Sequence, residues 1–186
     1  MKRLFDFVLA LFIFLILALP MAAIALLVRL TSKGPALYWS KRVGKNNILF
    51  NMPKFRSMRL DTPQVATHLL TNPRMHLTPL GDFIRKSSLD EIPQLFSVLA
   101  GDMSFVGPRP ALYNQDDLIE LRNKMNVHNL KPGITGWAQI NGRDEIPITE
   151  KVKLDEFYLL NQNFFLDLKI IFLTAFKVLV AKNVSH

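Results

Sequence analysis

The feature that most constrains this chain is a run of 22 residues without a charged side chain, residues 7–28, close to its start. As a straight helix the run would reach about 33 Å, which is enough to cross a bilayer core of about 30 Å. So long an apolar segment predicts an element that lies in a membrane rather than a helix of a water-soluble domain.

Three interpretations of this run stay open. A signal peptide is suggested by Lys2 and Arg3 ahead of the small residues in ALPMAA, but apolar sequence continues past any cleavage site there. A single transmembrane span is compatible with Pro20, since membrane helices tolerate proline. A helix that re-enters on the side it came from is favoured by Pro20, because proline removes a backbone hydrogen bond and kinks a helix.

The charges that flank the run also favour re-entry. Basic residues lie on both sides of it: Lys2, Arg3, Arg29, Lys33, Lys41, Arg42 and Lys45. Since positive flanks prefer the cytoplasm, a spanning helix has no preferred direction here, whereas a re-entrant one satisfies both ends. We therefore predict a re-entrant helix over residues 1–32, with its break at Pro20, and one domain over residues 33–186 on the cytoplasmic face.

Composition narrows the class of partner. Among the 186 residues, 23 lysines and arginines face 15 acids, a formal net charge of +8, and cysteine is absent. A basic chain indicates an anionic partner such as nucleic acid, lipid headgroups or a phosphorylated substrate. Without cysteine there is neither a disulfide framework nor a thiolate metal site.

The domain is expected to mix helices and strands, an α/β (α+β) fold. Two β-prone stretches around GKNN, residues 36–44 and 48–58, predict a β-hairpin. Helices are predicted over residues 91–100, 116–126 and 151–182, and the glycine-rich residues 130–145 are expected to form a binding loop.

The last predicted helix carries one broad apolar stripe with three- and four-residue spacing. This stripe either faces the protein core or lies in the membrane interface, with its lysines at headgroup level. Its members are Phe164, Phe165, Leu168, Ile171, Phe172, Ala175, Phe176 and Leu179.

Two adjacent carboxylates stand in the segment SSLDEIPQLF, residues 87–96. Ser88 and Glu91 have the spacing of a capping box, but Pro93 would then fall inside the helix. If Asp90 is the cap, Pro93 falls in the first turn, where its missing N–H has no partner to lose. Helix capping and catalysis are both compatible with this pattern.

Basic residues beside predicted strands and rigid turns shift the interpretation towards catalysis. They are Lys54, Arg56, Arg85, Arg109 and Arg143, the fourth of them between Pro108 and Pro110. Arginine in a rigid setting matches phosphate oxygens. Together with Asp90 and Glu91 they suggest a Mg²⁺ site that clamps a phosphorylated substrate near a lipid.

Five segments covering nearly the whole chain resemble the monotopic phosphoglycosyl transferases of bacterial glycoconjugate assembly. They are KRLFD, KRVGKNNILFNMPKFRSM, LTPLGDFIRKSSLDEIPQLFSVLAGDMSFVGPRP, KPGITGWAQINGR and KLDEFYLLNQNFFLDLKII. The short chain is similar to the small members that act in protein N-glycosylation with a diacetylated bacillosamine.

The resemblance implies a compact fold with a re-entrant helix and amphipathic helices in one leaflet, on the cytoplasmic face of the bacterial inner membrane. The implied reaction moves a phospho-sugar from a UDP-sugar to undecaprenyl phosphate and releases UMP, with Mg²⁺. By the family pattern Asp90 is the nucleophile, Glu91 is a metal ligand, and Pro108, Arg109 and Pro110 help to bind the nucleotide. The sequence departs from that pattern at Leu19, Asn47 and Met52–Pro53, none of which touches the acids.

Two other classes of protein compete with this interpretation. A membrane-anchored nucleic-acid-binding protein would use the positive charge, but no nucleic-acid motif is present, so nucleic acid is not an expected partner. A non-catalytic membrane scaffold needs no acids and would tolerate Asp90→Asn.

Overall fold

The computed structural model describes residues 1–63, 72–142 and 146–184. These residues form seven α-helices and four strands, and they confirm the mixed fold class. In chain order the elements are α1 (Lys2–Thr31), β1 (Leu37–Val43), β2 (Leu49–Phe55), α2 (Gly81–Lys86), α3 (Gln94–Ala100), β3 (Ser104–Val106), α4 (Asp116–Lys124), β4 (Gly133–Thr135), α5 (Trp137–Asn141), α6 (Ile148–Asn161) and α7 (Phe164–Val184).

Helix α1 stays helical through Pro20 over 30 residues, so the expected break does not interrupt its secondary structure. Proline only withholds the N–H that would bond the carbonyl of Ile16. Among the described residues α1 is the one helix long and apolar enough to cross a membrane. Most of its surface is exposed, including Leu4, Phe7, Val8, Leu11, Phe12, Leu15, Ile16, Leu19, Leu26, Leu27 and Leu30.

The charged start of α1 is fixed to the rest of the domain. Lys2 donates to the buried carboxylate of Asp167 at 2.6 Å, and Arg3 donates to two carbonyls at the end of α3. Asp6 is 2% exposed and accepts hydrogen bonds from Ser104 Oγ at 2.8 Å and from the Phe105 N–H. A buried carboxylate needs such donors, so these bonds hold the first two turns of α1 against β3.

The far end of α1 packs on the same domain. Met21 and Val28 join Phe55 of β2 and Ile84 of α2 in a small apolar cluster. The guanidinium of Arg56 donates to Ser32 O at 2.9 Å and to Lys33 O, and so takes up carbonyls at the end of the helix. Both ends of α1 therefore contact one body.

The predicted hairpin is confirmed. Strands β1 and β2 pair antiparallel with Tyr38 opposite Lys54 and Trp39 opposite Pro53. Asn46 and Asn47 adopt positive φ of 55° and 61° in the connection. Asparagine tolerates that conformation, so Asn47 supports the turn where the family often has glycine.

A second sheet pairs β3 and β4 in parallel, with Ser104 opposite Gly133 and Val106 opposite Thr135. The segment 130–145, predicted to be a binding loop, holds β4 and α5 within 133–141, and its residues 143–145 lie outside the described part of the chain. Strands of three residues carry too little alternation for a sequence pattern to reveal them. The main core lies around β3, with Val98, Met103, Val106, Val152 and Ile170 among its buried members.

The C-terminal segment forms two helices, α6 and α7, separated at residues 162–163. The core-facing interpretation of its apolar stripe is wrong. Among the α7 residues whose burial is described, 164–178, Ile170 and Asp167 are buried, whereas most of the described stripe is exposed: Phe164 49%, Phe165 81%, Leu168 39%, Phe172 70% and Phe176 56%. This apolar surface is what a helix in a membrane interface presents.

Candidate active site

The two acids lie in a short 3₁₀ turn, Leu89–Glu91, between α2 and α3. Ser88 precedes it with a left-handed φ of 57° and makes no side-chain capping bond, so the capping-box interpretation is wrong. Pro93 occupies the N-cap of α3 in a helical conformation, where its missing N–H has no partner to lose. Neither acid caps α3, because no side-chain capping bond forms at its start. Both carboxylates thus stand free of that structural role.

Glu91 is held by cations from two other elements. Its Oε1 lies 2.8 Å from Nζ of Lys54 on β2 and 3.7 Å from Nη2 of Arg109 in the loop after β3. The side chains of Lys54 and Glu91 are 16% and 27% exposed, so solvent screens their attraction only in part.

The pKa values of the two adjacent acids are displaced in opposite directions. Burial raises the pKa of Asp90 above its usual value, and the negative charge of the neighbouring Glu91 adds to the rise. The positive charges of Lys54 and Arg85 lower this pKa but do not cancel the effect of burial. Burial also acts to raise the pKa of Glu91, but Lys54 and Arg109 outweigh it and bring that pKa below its usual value. Neighbouring groups separated in this way are suited to different tasks at a reaction centre.

Arg109 projects from a loop that is otherwise buried. Pro108 and Pro110 on either side of it are buried, whereas the Arg109 side chain is 46% exposed. The Arg109 carbonyl accepts a hydrogen bond from Arg122 Nη1 at 2.9 Å, and the Pro110 carbonyl accepts one from Arg42 Nη1 at 3.1 Å. Among the predicted nucleotide-binding residues 108–110, Arg109 alone presents its side chain, and the prolines hold it in place.

Close backbone packing against residues 131–136 supports the loop that carries Arg109. A Cβ on Gly107 would lie 2.2 Å from the Lys131 carbonyl oxygen, and one on Gly136 would lie 2.1 Å from the Gly107 carbonyl oxygen. Both positions need glycine because no side chain fits between the two segments. Residues 131–136 therefore act as a rigid support for the loop that carries Arg109.

Two residues of the hairpin were not assigned to the site from the sequence, and one of them, Arg42, was named only as a basic flank of the apolar run. Tyr38 and Arg42 lie on the face of β1 that also presents Lys54 from β2, since side chains alternate along a strand. Burial and the charge of Arg109 lower the pKa of Arg42 to about 10. The signal was the period-two alternation of the hairpin, which puts positions 38, 40 and 42 beside positions 54, 52 and 50.

The remaining residues predicted to bind phosphate differ in whether they lie near the acids. Arg85, in the last turn of α2, is close enough to Asp90 for its charge to oppose the rise in that pKa. Arg56 is 4% exposed and is held at the end of α1, so a phosphate cannot reach it in this arrangement. Arg143 lies outside the described residues.

A family model described as bacterial sugar transferase matches residues 1–181. The chain belongs to the bacterial sugar transferase family. The uncharacterized sugar transferase EpsL of Bacillus subtilis is 42% identical over 186 residues, which is 100% of this chain and 91% of that protein.

Longer relatives carry names that state an activity. The UDP-glucose:undecaprenyl-phosphate glucose-1-phosphate transferase of Escherichia coli is 42% identical over 191 residues, covering 98% of this chain and 41% of that protein. The undecaprenyl-phosphate galactose phosphotransferase of Salmonella typhimurium is 39% identical over 203 residues, covering 100% of this chain and 42% of that protein. The chain thus spans about two fifths of these two relatives.

In this bacterial sugar transferase the adjacent acids fit the donor set of a Mg²⁺ ion. The described residues contain no group of three or more His, Cys, Asp or Glu side chains that could hold a metal. Mg²⁺ is commonly bound through one or two carboxylates and completes its shell with substrate phosphates and water. Asp90 and Glu91 match that pattern in kind and number, provided that a phosphorylated substrate supplies the rest.

Proposed function

We propose that this protein transfers a phospho-sugar from a UDP-sugar to undecaprenyl phosphate and releases UMP. The observation that carries the proposal is the pair Asp90–Glu91, surrounded by Lys54, Arg42 and Arg109. In the same turn Leu89, with Ile92 after it, packs on the apolar cluster that includes Met21 and Val28 of α1. Cations around two acids suit a phosphorylated substrate, and contact with an apolar helix suits a lipid acceptor. The names of the longer relatives support both substrates.

Asp90 acts as the nucleophile in the proposed reaction. Its carboxylate oxygen attacks the phosphorus bonded to the sugar, the bond to the UMP oxygen breaks, and UMP leaves with the bonding electrons. An oxygen of undecaprenyl phosphate then attacks the same phosphorus, and Asp90 leaves as a free carboxylate. Dividing the reaction in this way lets one site serve a soluble anion and a lipid anion in turn.

The residues around Asp90 position the diphosphate and offset its charge. Lys54 and Arg109 lie on one side of the acids and are suited to phosphoryl oxygens, with Arg109 able to bind bidentately. Asp90 and Glu91 would hold Mg²⁺, which when bound offsets the charge that builds up on those oxygens.

The exposed apolar surfaces suggest how the protein meets the membrane. Helix α1 and the phenylalanine face of α7 would lie in one leaflet of the inner membrane, with the acids at its cytoplasmic face. Because Lys2, Arg3 and Asp6 at one end of α1 and Val28 at the other contact the same domain, a helix that spans the bilayer would have to break one set of these contacts. This supports a re-entrant or in-plane α1.

Single cysteines should report this topology, since the natural chain has none. We expect a cysteine placed ahead of Met1 and one replacing Lys33 to resist a membrane-impermeant maleimide in intact cells. Both should react in inverted vesicles, because both ends of α1 stay on the domain side. Labelling of the N-terminal cysteine from outside intact cells would show that α1 spans the membrane.

The donor sugar is left to experiment. The relatives at similar identity are named for glucose, galactose and N-acetylgalactosamine, so overall likeness does not select among sugars. The UDP-diacetylbacillosamine expected from the short chain stays a prediction and joins these three in the test.

A transfer assay tests the proposed function. The purified protein in nanodiscs is given each UDP-sugar labelled at the phosphate next to the sugar, with undecaprenyl phosphate and Mg²⁺. We expect at least one donor to pass its label to the lipid fraction with release of equimolar UMP. If no donor transfers label while a relative of known activity does so in the same assay, the proposal is wrong.

A further inference from the structure

The carboxylate that the proposed function assigns to the metal is already paired with cations of the protein. Glu91 Oε1 accepts a hydrogen bond from Lys54 Nζ at 2.8 Å and lies 3.7 Å from Arg109 Nη2. A metal ion that approaches Glu91 must compete with a hydrogen-bonded ammonium group that solvent screens only in part. Such competition weakens metal binding because the charge of the carboxylate is already offset.

The balance of charges around Asp90 and Glu91 also disfavours a metal ion that binds without the donor. Among the described residues three cations, Lys54, Arg42 and Arg109, act on Glu91, and Lys54 acts on Asp90 as well. The cluster therefore has a positive excess, which a lone divalent cation would increase. A diphosphate would reduce it, so anion binding is favoured first and cation binding only with an anion.

Within residues 1–63, 72–142 and 146–184, further acidic ligands for a resident ion are missing beside the pair. No third His, Cys, Asp or Glu side chain joins Asp90 and Glu91 among the residues that the structure describes. Water and the phosphates of the donor can supply the remaining oxygen ligands.

We propose that Mg²⁺ binds this site together with the donor diphosphate and not before it. Lys54 controls the order. While the site holds no donor, Lys54 stays on Glu91; when the diphosphate arrives, Lys54 moves to a phosphoryl oxygen and frees Glu91 for the metal. This inference rests on the proposed function, since it assumes a diphosphate donor.

Binding of Mn²⁺, followed by its electron paramagnetic resonance signal, tests the order without turnover. Mn²⁺ is titrated into the full-length protein in nanodiscs, alone and with saturating UDP, and UDP with Mn²⁺ alone is subtracted. We expect UDP to tighten Mn²⁺ binding by about 5- to 150-fold, the usual range for coupled sites. Because coupling is reciprocal, Mn²⁺ should tighten UDP binding by the same factor.

Lys54→Gln identifies the competitor. This variant should bind Mn²⁺ more tightly than the wild type in the absence of UDP. UDP should then tighten its Mn²⁺ binding by a smaller factor than in the wild type. Lys86→Gln is the matched control. It frees the carboxylate of Asp82 from an ion pair of 2.6 Å, but on the exposed face of α2. We expect no change in Mn²⁺ affinity for that variant.

The possible outcomes distinguish a failure of this inference from a failure of the proposed function on which it rests. Mn²⁺ binding that is equally tight with and without UDP would show a resident metal and overturn the proposed order. Unchanged Mn²⁺ affinity in a folded Lys54→Gln protein would remove Lys54 as the competitor. Absence of UDP binding, with or without Mn²⁺, would overturn the proposed donor itself. The wild-type titrations stand even if Lys54→Gln is unstable.

Discussion

Asp90→Asn should abolish transfer and leave the fold intact. An amide oxygen cannot displace UMP, so the first step has no nucleophile, and we expect turnover to fall by about a thousandfold or more. Asparagine is close to aspartate in size and Asp90 makes no capping bond at the start of α3, so the change in stability should be small. Turnover is measured as label passed to lipid, and stability as the midpoint of thermal unfolding.

Covalent trapping separates a nucleophile from a merely nearby acid. Wild-type protein given labelled donor without undecaprenyl phosphate should retain label on a peptide that contains Asp90, and Asp90→Asn should retain none. Asp82→Asn, on the exposed face of α2, is the matched control and should behave as the wild type does. Turnover near wild type in Asp90→Asn would remove Asp90 from the nucleophile role.

Arg122→Met should produce the largest loss of stability. Arg122 and Asp155 form an ion pair of 2.7 Å whose side chains are 10% and 2% exposed. Removing the arginine leaves a buried carboxylate without its partner, which typically costs about 3–5 kcal/mol of the free energy of unfolding. Because Arg122 also donates to the Arg109 carbonyl, residual folded protein should turn over more slowly. Denaturant unfolding in detergent gives the free energy.

The same helix offers the matched control for this variant. Lys124 pairs with Glu120 at a similar distance of 2.7 Å, but both side chains are more than half exposed. Lys124→Met should therefore leave the free energy of unfolding close to that of the wild type. Equal, small losses in the two variants would mean that the buried pair does not stabilise the fold.

The loss in Arg122→Met should also depend on pH. Burial raises the pKa of Asp155 even beside Arg122, and removing the arginine raises that pKa further. A folded-state pKa above the unfolded value means that the native state binds more protons, so stability falls as pH rises between the two values. The deficit relative to the wild type should therefore be larger at pH 8 than near pH 5.

The hairpin and the neighbourhood of the acids could be predicted because their signals are local. GKNN marks the turn, and the strand period then places Lys54 beside Tyr38. Adjacent acids followed by proline mark a helix start whichever role they have. The same alternation places Arg42 on the face of the hairpin that carries Lys54. From its charge alone, Arg42 was interpreted only as a basic residue flanking the apolar run.

Other features could not be predicted because they depend on contacts between distant segments. The buried position of Arg56 follows from its bond to the carbonyl of Ser32, which directly follows α1 and lies 24 positions earlier in the chain. The stripe on α7 is apolar by periodicity, but periodicity does not say whether protein or lipid covers it. Strands β3 and β4 were missed because each has three residues and their pairing needs a partner about thirty positions away.

The contacts at the start of α1 also set the order in which the molecule can be completed. Lys2 is made well before its partner Asp167, which follows 165 positions later, and Asp6 meets Ser104 only after 98. During synthesis helix α1 must therefore wait with the side chains of Lys2 and Asp6 unpaired. Closing such long loops is slow, so the final seating of α1 is a late step that depends on the emergence of α7. A ribosome stalled before residue 167 would hold a chain in which α1 is present but not yet fixed by Asp167.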